Sequence, residues 1–246
     1  MHSKFLLLGI SLLFLISCKK APYRTCFKTS GKVSERTISV NNFDRLFLSE
    51  HMNFVLIQDS TNKVVIKGGE NLLQLIEISN VDGLLTIKNK NRCNYLRKYE
   101  VPLVEIHLTK IINMHLEVSG TLTNQDTLVT DYLTITARDG AGNFDLTVKA
   151  IDIKAENTYG WANLTLKGET QTLRANLMGD GFFDMKELNI THSLNILSVS
   201  SRDQYIRAEG IALKVQIDGI GNILYWGNPS AVFYNKYGKG NLIKQQ

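Results

Sequence analysis

Gly219-Ile220-Gly221-Asn222-Ile223-Leu224-Tyr225-Trp226 is followed nineteen residues later by Gly238-Lys239-Gly240-Asn241, and the same corner stands earlier as Gly140-Ala141-Gly142-Asn143. A short motif that returns at a fixed interval of about 20 residues is the mark of a repeat architecture. Working outward, apolar runs begin at Met114, Leu133, Ile151, Leu173, Leu194, Leu213 and Val232, at spacings of 19, 18, 22, 21, 19 and 19. Gly120, Gly140, Gly160, Gly179, Gly219 and Gly238 keep step with them, and in the one double step Ser200-Ser201-Arg202-Asp203 takes the glycine's place.

Within each repeat, apolar and polar residues alternate, as in Leu133-Thr134-Ile135-Thr136, Ile151-Asp152-Ile153-Lys154 and Leu213-Lys214-Val215-Gln216-Ile217. Period two means strands with one buried and one wet face. Glycine at the corners supplies a positive φ, and asparagine tolerates one next best. One repeat cannot bury its apolar face alone, so stacking at about 4.8 Å per rung creates the core. The expected fold is therefore all-β, a right-handed parallel β-helix (solenoid) with rungs of about 20 residues. Seven rungs would give a rod section of about 35 Å. The alternative is an antiparallel β-sandwich, which also strings short strands between turn signals. Residues 37–112 lack the clean period and read as first irregular coils or a capping β-element, with one helical turn between Glu70 and Ile76. Residues 113–246 read as the regular rungs.

The N-terminus carries a different message. Met1-His2-Ser3-Lys4 precedes an apolar run from Phe5 to Ile16. About a dozen apolar residues are too few for a spanning helix, which needs about 20, so residues 1–17 read as a signal peptide. Leu15-Ile16-Ser17-Cys18 resembles a bacterial lipobox. The resemblance implies cleavage before Cys18 and acylation of that cysteine, hence a lipoprotein of the cell envelope, by default on the outer membrane. Residues 18–36 then form a lipidated basic tether. Cys26 and Cys93 remain as a pair that an oxidising compartment permits to bridge.

Upstream of the repeats stand Phe43-Asp44-Arg45-Leu46, Val64-Val65-Ile66, Glu70-Asn71-Leu72-Leu73 and Asp82-Gly83-Leu84-Leu85-Thr86-Ile87. Together with Gly219 to Pro229 and Gly238-Lys239-Gly240, these resemble the bacterial auto-transporter adhesin, head GIN domain family over about residues 41–242. The resemblance implies a parallel β-helix on an exported, often lipid-anchored protein with an adhesive or scaffold role. Tyr159-Gly160-Trp161 and Ser201-Arg202-Asp203 depart from the family's plain corners.

Net charge of +5 is spread along the chain, with no basic helix, so no nucleic-acid partner is expected. Asp139, Asp180 and Asp218 sit beside corner glycines. They read as turn caps, although stacked acids on a β-helix could also serve a polysaccharide-acting enzyme. His51, His107, His115 and His192 are scattered, and no nucleophile, phosphate or metal motif appears. No cofactor, no metal and no catalysis are expected. Tyr159, Trp161, Phe182, Tyr225 and Trp226 are the candidate binding surface, a stacking ground for an envelope glycan or protein if they are exposed and a plug of the core if they are not. A non-catalytic binding module is the leading reading. A polysaccharide-acting enzyme and a purely structural envelope component are the alternatives.

Overall fold

The computed structural model describes residues 29–92 and 99–246. Cys18, Cys26 and Cys93 lie outside these, and with them the lipidation site and the cysteine pair. Among the described residues, no helix is long and apolar enough to cross a membrane.

Among the described residues twenty strands follow one another: β1 (Val33–Ser39), β2 (Arg45–Glu50), β3 (Asn53–Gln58), β4 (Lys63–Gly69), β5 (Ile76–Val81), β6 (Leu84–Asn89), β7 (Leu103–Leu108), β8 (Asn113–Val118), β9 (Thr121–Asn124) and β10 (Leu128–Val129). Then come β11 (Tyr132–Gly140), β12 (Asn143–Gly160), β13 (Asn163–Leu177), β14 (Phe183–Met185), β15 (Leu188–Ser198), β16 (Gln204–Arg207), β17 (Ala212–Ile217), β18 (Ile223–Trp226), β19 (Ala231–Lys236) and β20 (Leu242–Lys244). The one helix among the described residues, α1 (Glu70–Leu73), buries Leu72 and Leu73.

The strands stack on two long faces, with a short third strip between them formed by β10, the middles of β12 and β13 and the start of β15. Face I runs β4, β7, β3, β9, the first half of β12, the first half of β13, β14, β16, β18 and β20. Face II runs β6, β2, β8, β11, the second halves of β12 and β13, β15, β17 and β19. The pairings through the repeats are parallel, and the chain alternates between faces as it climbs. The fold is a parallel β-helix. At its first end the pairs β1–β4, β4–β7 and β5–β6 are antiparallel and close off the stack.

Register fixes the core. Leu133, Ile153, Leu173, Leu194 and Leu213 lie one above another and are each at most 1% exposed, with Val232 as the last of the column. Two sequence expectations shift here. Ile153, not Ile151, holds the core place: Ile151 sits at a bend inside the continuous strand β12 and is 42% exposed. Met114 lies against Ile135 rather than Leu133.

The corners also differ from expectation in their cause. Among the corner glycines only Gly160 has a positive φ, +100°. The others are demanded by close approach: a Cβ on Gly219 would lie 2.3 Å from the Ser200 carbonyl oxygen, and one on Gly238 would lie 2.0 Å from that of Gly219. The same holds for the second glycine of the motif, where a Cβ on Gly221 would meet the Arg202 carbonyl at 2.1 Å and one on Gly240 that of Gly221 at 2.0 Å. Gly120 belongs to this second column, because Thr121 pairs with Asn143 and so puts Gly120 beside Gly142. The motif's asparagine is a ladder rung. Asn222 Oδ1 accepts the Asn241 backbone N–H at 3.0 Å, and Asp203 Oδ1 accepts that of Asn222 at 2.8 Å. Lower down, Asn163 Nδ2 donates to Asn143 Oδ1 at 2.8 Å, and Asn163 Oδ1 accepts the Phe182 N–H at 3.1 Å. Where glycine is missing, the fully buried Gln204 fills the corner. Its Nε2 donates to the carbonyls of Gly181 (3.1 Å) and Arg202 (2.9 Å), while its Oε1 accepts the Phe183 N–H at 2.7 Å.

Candidate functional site

Tyr159 and Trp161 project from the corner on either side of Gly160, 65% and 62% exposed. The Trp161 backbone is pinned by its N–H donating to the Gly140 carbonyl at 2.9 Å, so the ring is offered from a rigid corner. It stands at the rim of a hollow of about 580 Å³, lined also by Phe47, Glu50, Lys88, Glu117 and Asp139. The hollow's wall is braced. The Phe47 ring stacks on His115 at 5.0 Å and 8°, Lys88 Nζ lies 4.9 Å from the Phe47 centroid, and His115 Nε2 is 3.0 Å from Glu117 Oε1. Two of its residues, Glu50 (φ 72°) and Asp139 (φ 52°), are held in the left-handed region, where non-glycine residues are uncommon. Backbone strain of this kind collects at ligand sites. Chemically, an exposed indole beside carboxylate acceptors and ammonium donors matches a ligand that has both an apolar ring face and many hydroxyls.

A second aromatic patch climbs three rungs of face I. Phe182 meets Tyr205 edge-on (5.0 Å, 88°), and Tyr205 meets Trp226 likewise (5.8 Å, 83°). Lys186 Nζ lies 5.0 Å from the Tyr205 centroid and 5.5 Å from that of Trp226, and the Arg202 guanidinium lies 5.7 Å from Phe182. These cations cover rings that are already half-buried, so the patch is better braced but less open than Trp161. Tyr205 went unnoticed in the sequence because its outward position depends on Gln204 occupying the corner. Tyr225 points the other way and packs against the core. The five sequence candidates thus divide: Tyr159 and Trp161 at one corner, Phe182 and Trp226 joined through Tyr205, and Tyr225 inside.

The corner aspartates do not gather. Asp139 pairs with Arg138 at 3.1 Å, Asp180 Oδ1 accepts the Ser201 hydroxyl at 2.7 Å, and Gln216 Nε2 donates to both Asp218 oxygens. The Ser201 side chain and backbone N–H hold the Asp180 carboxyl below the usual range. Asp139 and Asp218 stand four rungs apart, about 19 Å at the strand spacing. Among the described residues, no three His, Cys, Asp or Glu side chains are placed to hold a metal ion. The most perturbed acid is Asp59, drawn down to about 2 by His107 Nδ1 at 2.6 Å and by the Thr61 hydroxyl. It fixes the turn after β3, with the Thr61 N–H also donating to it at 2.7 Å.

The sequence profile of a family described as "Putative auto-transporter adhesin, head GIN domain" matches residues 42–229. Among solved structures, a "putative adhesin" from Bacteroides fragilis is 20% identical with a TM-score of 0.79, over 87% of this chain and 97% of its own. A "putative adhesin" from Parabacteroides merdae is 20% identical with a TM-score of 0.65, over 89% and 98%. A "putative lipid binding protein" from Parabacteroides distasonis is 14% identical with a TM-score of 0.62, over 88% and 98%. At these identities the likeness is one of fold. No curated protein matches the chain.

Proposed function

The chain belongs to the family described as putative auto-transporter adhesin, head GIN domain, and from that premise we propose that it is a non-catalytic adhesion module of the cell envelope. It is tethered by acylation of Cys18, with the outer membrane as its site, and holds a glycan-bearing polymer at the Trp161 hollow. The observation that carries the reading is the exposed Trp161 ring on a rigid corner, beside carboxylates and ammonium groups and two residues of left-handed backbone. Trp161 sits where packing does not call for an aromatic, whereas the sugar-stacking role does.

Titration of envelope polysaccharides onto the detergent-solubilised full chain tests this. Trp161→Ala is expected to weaken binding about tenfold, equivalent to about 1.4 kcal/mol, with an unchanged melting temperature. No binding by the wild type, or the same affinity in Trp161→Ala, would overturn the reading. The anchor is tested separately. Cys18→Ala is expected to move the protein from the membrane pellet to the soluble fraction and to abolish fatty-acid labelling.

A further inference from the structure

The outer side of face II carries a second hollow, of about 360 Å³, on the rungs beyond Trp161. Register sets its chemistry. One outward column reads Lys154, Arg174, Asn195, Lys214, and the next reads Glu156, Asn176, Leu197, Gln216, Asn235. The acids around it are engaged: Glu156 Oε1 by Lys154 at 2.8 Å and by Asn176 Nδ2 at 2.9 Å, Asp152 Oδ2 by Arg174 Nη2 at 2.6 Å, and Asp218, at the upper edge, by Gln216 Nε2 at 3.0 and 3.1 Å. From Asn195 upward both columns lack a carboxylate, and among the described residues no carboxylate pairs with Lys214.

We infer that this groove is a binding site for a linear polysaccharide bearing carboxylates, laid along the rod axis. The lining is rich in donors and poor in acceptors of charge. Arg174 spends one N–H on Asp152 and keeps others for a ligand, while Lys214 adds a full positive charge. Asn195 and Asn235 supply neutral hydrogen-bond partners for hydroxyls, and half-buried Leu197 offers an apolar floor for a ring face. Rungs repeat at about 4.8 Å, so Arg174 and Lys214 stand about 10 Å apart and a chain parallel to the axis meets a polar group at every step. The open, shallow shape suits a polymer held by several weak contacts rather than an enclosed small molecule. The site is independent of the Trp161 hollow, and the two fail separately.

Polygalacturonate, dextran sulfate and neutral dextran are titrated onto the full chain at low salt. Polygalacturonate is expected to bind, with dextran not binding and monomeric galacturonate at least tenfold weaker. Lys214→Gln, an exposed side chain without a carboxylate partner and so neutral to folding, is expected to weaken polygalacturonate at least fivefold. Arg174→Gln added to it should deepen the loss, while Trp161→Ala leaves it unchanged. Lys149→Gln, a charge-matched control outside the groove, should have no effect. Equal loss in Lys149→Gln would mean diffuse attraction to a basic protein and overturn the site, as would unchanged binding in Lys214→Gln or equal binding of dextran. Binding of dextran sulfate alone would overturn the carboxylate assignment.

Discussion

Replacing Gly221 and Gly210 by asparagine separates two reasons for a glycine in this fold. At Gly221 a Cβ would stand 2.1, 2.5 and 2.8 Å from the carbonyl oxygen, carbonyl carbon and nitrogen of Arg202, all backbone. No rotamer change relieves such contacts, so one rung must shift against its neighbour. Overpacking of this kind costs about 1–3 kcal/mol. For a chain of this size that lowers the melting temperature by about 2–4 °C per kcal/mol, hence by about 2–12 °C. At Gly210 φ is +69° and a Cβ would meet nothing within 4 Å. Asparagine is the side chain that enters the left-handed region most readily, so Gly210→Asn is expected to stay within about 0.5 kcal/mol of wild type. Gly210→Ala should cost about 1 kcal/mol, because only the backbone preference is offended. Gly240→Asn should fall below Gly221→Asn in cost, since among the described residues no strand pairs with β20 on the side away from β18 and its rung can lift away. Thermal and urea unfolding followed by circular dichroism measure all four. If Gly221→Asn is as stable as wild type, or Gly210→Asn loses as much as Gly221→Asn, the corner glycines answer to φ and the account of carbonyl contact is wrong.

Gln204→Leu keeps the volume of a fully buried side chain but strands the Phe183 N–H and the carbonyls of Gly181 and Arg202. At ~1–3 kcal/mol for each of the three buried unpaired groups, a loss of at least about 3 kcal/mol is expected in urea unfolding, and a change under about 1 kcal/mol would show that water replaces the amide. Asp59 makes a pH prediction. Its carboxyl is drawn from 3.8 down to about 2 in the folded state, so its contribution is complete above about pH 4 and is lost as pH falls toward 2. The gap in melting temperature between wild type and Asp59→Asn should therefore narrow between pH 6 and pH 2.5, and a constant gap would detach Asp59 from the acid response.

The repeat was legible because stacking imposes one rule on every rung. Inward columns such as Leu173, Leu194 and Leu213 are apolar, and corner columns such as that of Gly219 and Gly238 lack a Cβ on all rungs but that of Ser200. What the sequence hid is register, which depends on backbone detail between the columns. Ile151 passed for a rung start because β12 bends without a turn residue and leaves that isoleucine outside. A bulge between Ala137 and Gly140 offsets Arg138 against Tyr159, so counting along glycines misplaces Gly120 by one column. At the first end, β2 lies between β6 and β8, and β7 between β4 and β3. Chain order there departs from spatial order, and no periodicity records that. The candidate aromatics were legible as residue types only. Whether Tyr225 points in and Tyr205 out turns on one residue of register within strands four residues long.

The Gly-x-Gly-Asn corner explains why such a scaffold can carry a site without losing stability. Its glycines are set by the carbonyls of the rung below and its asparagine by the amide ladder, so where the full motif stands three of four positions are committed to the rod. The x position is not. In successive rungs it holds Ala141, Trp161, Asp180, Ser201, Ile220 and Lys239, a set with no common size, charge or polarity. Packing that asks for one kind of side chain would give one kind, as it does at Leu173, Leu194 and Leu213. Trp161 is the largest member of the set and stands 62% exposed on a corner whose backbone is fixed on both sides. Its apolar surface therefore gains little from the core, and that exposure is what the proposed ligand would cover.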